Sequence, residues 1–406
     1  MAALPVIPRR PERSEGTPRN LLRRPLANAR GDKKRSGGIK EGMGMRYIIK
    51  PDVNIDFVGK RYLALAFSIA LTLAGVLAIV FRGGLNMGID FAGGTIIQVK
   101  FTETVDIQKI RSALEPLGVA SSAIQQIGSP TDQEYIIRTN IHEETETSVS
   151  EKIHSELERI FGKGKVEIRR VEMVGPKIGK DLREKALLTV YYSLLFMAIY
   201  IAGRFESKWT KSILISAGLF GGLKLLEAMG IGYGILSVVA LVVTIVLFWV
   251  FHLPYALGAI LSLIHDVMMT VGIFAILNKE FDLTVIAAIL TIIGYSLNDT
   301  IIVFDRIREN IRKERGVDFK TIVNNSVNQT LSRTILTSGT TLIVVVALLI
   351  FGSAVIKDFA FALFIGVLTG TYSSIFIAVP VLILYEEKVA ARKIREPALL
   401  KKPSRA

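Results

Sequence analysis

From Leu63 to Phe81 the chain runs for nineteen residues without a charged side chain. A helix over that run, rising about 1.5 Å per residue, is long enough to cross a hydrocarbon core of about 30 Å. Comparable apolar stretches recur at 186–203, 213–229, 231–252, 254–277, 284–304, 331–351 and 359–385. Half of the 406 residues are hydrophobic and the mean hydropathy is positive, at +0.43, which is too apolar for a water-soluble chain with an ordinary surface. The sequence therefore predicts a polytopic α-helical membrane protein with about eight spans, or six plus a re-entrant hairpin. The ambiguity lies in residues 212–253, where Gly218, Gly221, Gly222, Lys224 and Glu227 interrupt one member of the pair and Gly230, Gly232 and Gly234 punctuate the junction.

Charge sets the direction of threading. Residues 1–61, the segment 204–211, the region 305–316 and the tail 386–406 are rich in Lys and Arg, whereas 278–282 and 352–358 are nearly free of them. Short basic loops stay in the cytoplasm, so both termini are expected there, and an even number of crossings is required between 212 and 253. The net charge of +14 follows from such loops and needs no nucleic-acid partner. Residues 1–44 mix Pro, Arg, Lys, Gly and Ser without apolar periodicity, the composition of a disordered segment. The break at Met45 makes that residue a candidate translation start, and no cleavable signal peptide is visible, which leaves targeting to the first membrane helix at 62–82.

Between 83 and 180 the pattern changes. Alternating segments at 93–101, 120–127, 134–141 and 165–174 read as strands, and the stretches DIQKIRSALEPLG and ETSVSEKIHSELERIFG read as helices. The order β-α-β-β-α-β predicts a small α+β ferredoxin-like domain inserted between the first span and a bundle over 181–385. By the parity of crossings it faces away from the cytoplasm.

Soluble chemistry finds little support. GPKIGKD (175–181) lacks the spacing and the final Ser or Thr of a phosphate-binding loop, and His142, His154, His252 and His265 show no metal-binding spacing. With no cysteine in the chain, thiolate chemistry is excluded, and no cofactor or metal is expected. An enzyme is not expected either. The informative residues are ionisable groups within spans, because a charge near the bilayer centre costs about 2.5–3.5 kcal/mol and persists mainly for function. Asp299 shares a helical stripe with Thr291, Tyr295 and Asn298, which suggests a lined, partly hydrated path facing protein. Arg333, with Thr330, Thr334, Thr337 and Thr341 nearby, is a candidate partner for that carboxylate, although a basic side chain near an interface also snorkels. His265 and Asp266 form a second place where a proton could bind, or a pair that fixes helix packing. Gly366 and Gly370 form a GxxxG suited to close helix contact. The amphipathic segment from Asp305 to Gln329 is expected to lie along the cytoplasmic face, at the interface or as a solvated connector.

The strings GYSLNDTIIVFDRIREN (294–310), NQTLSRTILTS (328–338) and FALFIGVLTGTYSSIFIAVPVL (361–382) closely resemble the SecF family of bacterial protein export. GIDFAGGT (88–95), with Gly88, Asp90, Gly93 and Gly94, resembles the Gly-rich motif that opens the periplasmic domain in SecD and SecF, and VGPKIGKDL (174–182) resembles the motif that closes it. The resemblance covers nearly all of 45–385 and extends to resistance-nodulation-division transporters. It implies a multi-pass protein of the bacterial inner membrane with SecD, the SecYEG channel and the translocating preprotein as partners, YidC as a further candidate and membrane lipids around it. It also implies a proton relay in which Asp299 matches the family's embedded acid and Arg333 the arginine of its Ser-Arg-Thr motif. Protonation of Asp299 would weaken its attraction to Arg333 and let helices repack, moving the periplasmic domain. The chain departs from the family after Arg204, Phe205 and Glu206, where about 45 additional apolar residues precede the span near Pro254. Two other readings stand beside this one: a self-sufficient proton-driven exporter of lipids or small molecules, against which the single periplasmic domain speaks, and a passive assembly scaffold.

Overall fold

A computed structural model describes residues 54–117, 123–127, 131–139 and 146–388. Residues 1–53 and 389–406, which include the basic N-terminus, Met45 and most of the basic tail, lie outside the described residues, as does His142.

The chain begins its path through the bundle with α1 (Arg61–Phe81), and a four-residue helix, α2 (Ile89–Ala92), leads into the inserted domain. That domain comprises β1 (Gly94–Phe101), α3 (Ile107–Leu114) with a following 3₁₀ turn, β2 (Ala123–Ile127), β3 (Glu134–Thr139), α4 (Glu146–Phe161) and β4 (Val166–Val174). The four strands form one antiparallel sheet in the order β2-β3-β1-β4, the ferredoxin-like arrangement that the sequence pattern predicts. Alternation puts Ile97, Val99, Tyr135 and Ile137 on the face covered by the helices, where they pack with Ile110, Leu114, Ile153 and Leu157 in a core separate from that of the bundle.

The bundle continues with α5 (Pro176–Glu206), α6 (Trp209–Ala228), α7 (Tyr233–Val250), α8 (Pro254–Leu277), α9 (Leu283–Lys313), α10 (Phe319–Phe351) and α11 (Ala354–Ser373), the last extended through a π-helical turn at Ser374–Ala378. Seven helices among the described residues are long and apolar enough to cross a membrane, namely α1, α5, α7, α8, α9, α10 and α11 with its continuation to Lys388. The remaining helix, α6, has 20 residues and carries Lys211 and Lys224. The segment 212–253 is thus a pair of unbroken helices. Lys208 Nζ donates to His252 O at 2.8 Å, and the Tyr255 amide donates to Glu206 Oε1 at 2.9 Å. The hairpin therefore leaves and returns at the same end of the bundle, as an even number of crossings requires.

The stretch 305–329 differs from the expected surface-lying helix. It consists of the extended ends of α9 and α10, which pair with each other: Asn310 Nδ2 donates to Ser326 Oγ at 2.9 Å and to Gln329 Oε1 at 3.0 Å. Ile307, Ile322 and Val323 are buried, whereas Ile311 and Val317 are exposed. On α10, Asn324 and Asn328 also clasp the chain entering α1, accepting from the Phe57 and Ile55 amides at 2.9 and 2.8 Å.

Close helix crossings depend on small residues. A Cβ at Gly370 would lie 2.8 Å from Ser296 Cβ, and one at Gly366 would lie 2.2 Å from Ile292, so the GxxxG lets α11 seat directly on α9. Gly370→Leu is expected to cost about 1–3 kcal/mol through overpacking, seen as a lower unfolding temperature in detergent. Gly218→Leu, at a position with no atom within 4 Å, is expected to leave that temperature unchanged.

Candidate functional site

Where α8, α9, α10 and α11 meet, two carboxylates are buried. Asp266 on α8 is fully buried, and its Oδ2 accepts from Ser296 Oγ on α9 at 2.6 Å and from Ser373 Oγ on α11 at 2.8 Å. Its Oδ1 lies 3.2 Å from Nδ1 of the neighbouring His265. Lipid offers no donors, so a carboxylate at this depth must collect them from adjacent helices, and here three helices are tied at one point. The His265 ring stacks on Tyr372 of α11 at 6.0 Å, with Nε2 buried and unpartnered among the described residues. Tyr372 extends the network to α1, donating to Ala64 O at 2.6 Å and accepting from Ser68 Oγ at 3.1 Å.

The second carboxylate, Asp299, is 2 % exposed. Its Oδ2 accepts from Ser338 Oγ of α10 at 3.3 Å, and Ser338 lies 2.7 Å from Thr371 Oγ1 of α11. Consecutive residues of α11 therefore serve separate contacts: Thr371 turns to the Asp299 network, Tyr372 to His265 and α1, and Ser373 to Asp266. The π-helical turn that follows at once is a widening often found at functional points of a helix. A polar run within an apolar helix, Thr-Gly-Thr-Tyr-Ser-Ser at 369–374, was the available signal for this hub.

The expected polar stripe divides in two. Thr291 and Asn298, seven residues apart, share the exposed face of α9, whereas Asp299, about 80° round the helix from Thr291 at 100° per residue, turns inward. Tyr295 stands between them, half-buried, with its hydroxyl donating to Thr341 at 3.1 Å. Arg333 is exposed and makes no ion pair among the described residues. It lies within electrostatic reach of Asp299 but does not touch it. The cause is helical phase, since Ser338, which does meet Asp299, is five residues from Arg333 and thus about 140° away on α10. Thr337 hydrogen-bonds its own helix, with Oγ1 donating to Arg333 O and Thr334 O at 3.0 Å.

Each end of this core is locked. At the end away from the α+β domain, Arg204 pairs with Asp305 at 2.6 Å, Phe205 stacks on Tyr255 and meets Phe304 edge-on, and Glu206 caps the start of α8. The Arg-Phe-Glu triplet thereby joins α5, α8 and α9, a role its sequence did not disclose. At the domain end, the Gly-rich motif grips the loop between α8 and α9. The Phe281 amide donates to Asn86 O at 2.8 Å, the Gly88 amide to Phe281 O at 2.9 Å, and the Leu283 amide to Asp90 Oδ2 at 3.0 Å. Gly93, with φ of +77°, takes a backbone conformation closed to most side chains, and a Cβ there would lie 3.1 Å from Pro176. Gly94, also at positive φ, opens β1 opposite Val174. The motifs that open and close the inserted domain thus touch, and Asp90 holds the first turn of the helix bearing Asp299.

The C-terminal model described as protein export membrane protein SecD/SecF matches residues 152–220 and 226–388, and the SecD/SecF GG motif matches 78–105. The chain belongs to the SecD/SecF family. The protein translocase subunit SecF of Calditerrivibrio nitroreducens is 40% identical over 334 residues, covering 82% of this chain and 94% of that one. SecF of Magnetococcus marinus is 40% identical over 351 residues, covering 84% and 97%. Among solved structures, SecDF from Thermus thermophilus, a translocon-associated membrane protein, superposes with a TM-score of 0.63 at 30% identity. A SecDF in a super-membrane-facing form gives 0.56 at 32%. This SecF-like chain spans 39% of the Thermus SecDF chain, which in turn covers 83% of it.

Asp90→Ala removes the acceptor for the Leu283 amide and is expected to cost about 1 kcal/mol, the usual worth of a helix cap. Hydrogen exchange should quicken at Leu283 while Ile292, deeper in the same helix, stays protected.

Proposed function

We propose that this chain is the SecF-type half of a proton-driven SecDF complex of the bacterial inner membrane. It works as a non-enzymatic subunit that helps draw preproteins outward through SecYEG. The observation that carries the reading is the placement of Asp299, buried among α9, α10 and α11 on a helix whose first turn is held by Asp90 of the inserted domain. A charge change at Asp299 disturbs helix packing, and the same helix ends on the domain that would move. On this reading the basic loops, which favour the cytoplasmic side, keep the locked Arg-Phe-Glu end and both termini in the cytoplasm and leave the α+β domain in the periplasm.

The outer face of α9 and α10 supports a partner half. Thr291, Asn298, Arg333 and Thr340 are exposed there within the apolar spans, where lipid contact is costly for such groups. A SecD-type bundle covering this face would bring its own polar groups to Arg333 and close a hydrated path beside Asp299. The preprotein and SecYEG are further partners on this reading, YidC is a candidate neighbour, and lipids contact the remaining surface.

The test is preprotein export with and without a proton gradient, comparing wild type with Asp299→Asn at matched membrane abundance. Loss of the gradient-dependent part of export, with the complex still assembled, is expected. Gradient-dependent export at the wild-type level would contradict the relay and favour a passive scaffold. Arg333→Gln is expected to reduce SecD recovered with the chain on affinity purification.

A further inference from the structure

The loop between α8 and α9 carries five residues, Asn278 to Asp282, and charged side chains connect it to separate parts of the molecule. Lys279 pairs with Asp358 of α11 at 2.6 Å and lies over the Phe361 ring. Glu280 pairs with Arg138 of β3 at 2.6 Å, with both side chains largely shielded from solvent. Arg138 also reaches Gln125 of β2 at 3.4 Å. The loop is pressed onto the Gly-rich motif so closely that a Cβ at Gly88 would stand 3.0 Å from Glu280 Oε1 and 3.1 Å from Asp282 Cβ. Apart from the backbone bonds of the neck at 86–90, the ion pair between Glu280 and Arg138 is a direct tie from the proton-bearing helices to the sheet.

We propose that Arg138 and Glu280 form a proton-responsive latch that docks the periplasmic domain on the α8–α9 loop and transmits movement of α8 and α9 to the sheet. The proposal rests on the periplasmic placement of the domain given above, and it assigns the pair a positioning role with no part in carrying protons through the membrane. The groups that face Glu280 are Arg138 from β3, Asp90 from α2, Asp282 from its own loop and Asp358 from α11, the last shared with Lys279. Arg82, at the end of α1, is engaged with Ile276 O.

Burial pushes the Glu280 carboxyl above its ordinary range; Arg138 opposes this, and Asp282, Asp358 and Asp90 add to it. In the undocked state Glu280 stands in water with an ordinary carboxyl affinity, so the docked state binds the proton more tightly. Linkage then fixes the sign: docking strengthens as periplasmic pH falls and weakens as pH rises through the raised value, where a buried negative charge beside three carboxylates relies on Arg138 alone. The acidic side of the membrane closes the latch, and loss of the proton loosens it.

Because the chain has no cysteine, two labels can be placed without background, at Ser155→Cys on α4 and Ser353→Cys at the start of α11. Electron–electron distance measurements on the full chain in liposomes then read the docked population directly. In the wild type, the short-distance population is expected to grow as the periplasmic pH is lowered through the raised range of Glu280. Arg138→Gln should lose that population at the higher pH and recover part of it at the lower. The exchange Arg138→Glu with Glu280→Arg should restore it, with its pH response altered. Distances that are the same in wild type and Arg138→Gln at both pH values would overturn the proposal and leave the neck as the sole positioning element. The measurement involves no export, so its failure is separable from failure of the Asp299 relay.

Discussion

A carboxylate inside a membrane bundle has no water to turn to, and the arrangement of α8, α9 and α11 follows from how Asp266 is satisfied. Two serine hydroxyls from different helices reach one of its oxygens at 2.6 and 2.8 Å, which is possible only if the helices approach closely. Gly366 and Gly370 permit that approach by letting Ile292 and Ser296 occupy the space of absent side chains. Breaking such a knot leaves polar groups unpaired in an apolar interior, at about 1–3 kcal/mol for each. Asp266 thus acts as a fixed point, and Asp299, one turn beyond Ser296 on α9 with a single longer bond to Ser338, is the carboxylate with the looser hold.

The same helices carry the core outward in both directions. Toward one end, Arg204, Phe205 and Glu206 join α5 to α8 and α9 through an ion pair, an aromatic stack and a helix cap. Toward the other, Asp90 and the backbone bonds at Phe281 fasten α9 to the Gly-rich neck, and Arg138 fastens the loop to the sheet. These ties run without a break from the Asp266 knot through α9 to the neck of the domain, so on the proposed reading a small rotation or slide of α9 would reach the domain. The α6–α7 hairpin stands apart from this path, packing chiefly on α5 through a small apolar cluster of Tyr191 and Leu195 from α5 with Leu219 of α6 and Leu236 of α7.

Much of this was legible in the sequence because the signals are local. Apolar runs long enough to cross a bilayer marked the membrane helices, leaving open only the 212–253 pair, strands alternating with period two marked the inserted α+β domain, and Asp299 stood out as an acid within an apolar run. What was not legible depends on how helices are rotated against each other. Arg333 and Asp299 share neighbouring helices, but a phase difference of about 140° between Arg333 and Ser338 decides that the serine meets the carboxylate. The stretch 305–329 has an amphipathic pattern that suits an interface equally well; only the pairing of Asn310 with Ser326 and Gln329 shows that its apolar side closes on the bundle. Arg138 and Glu280, separated by more than a hundred residues, carry no sequence signal that would pair them.

The central claim is that Asp299 is the group whose protonation changes during the cycle, while Asp266 serves as structural anchor. Infrared difference spectroscopy on the chain reconstituted with its SecD partner, stepping the pH on the periplasmic side, reads carboxylic acid bands directly. In a Glu280→Gln background, which removes the carboxyl of the periplasmic ion pair, a protonation band is expected that disappears in Asp299→Asn and survives at a shifted frequency in Ser338→Ala. A band unchanged in Asp299→Asn would contradict the claim and move the proton to another carboxylate.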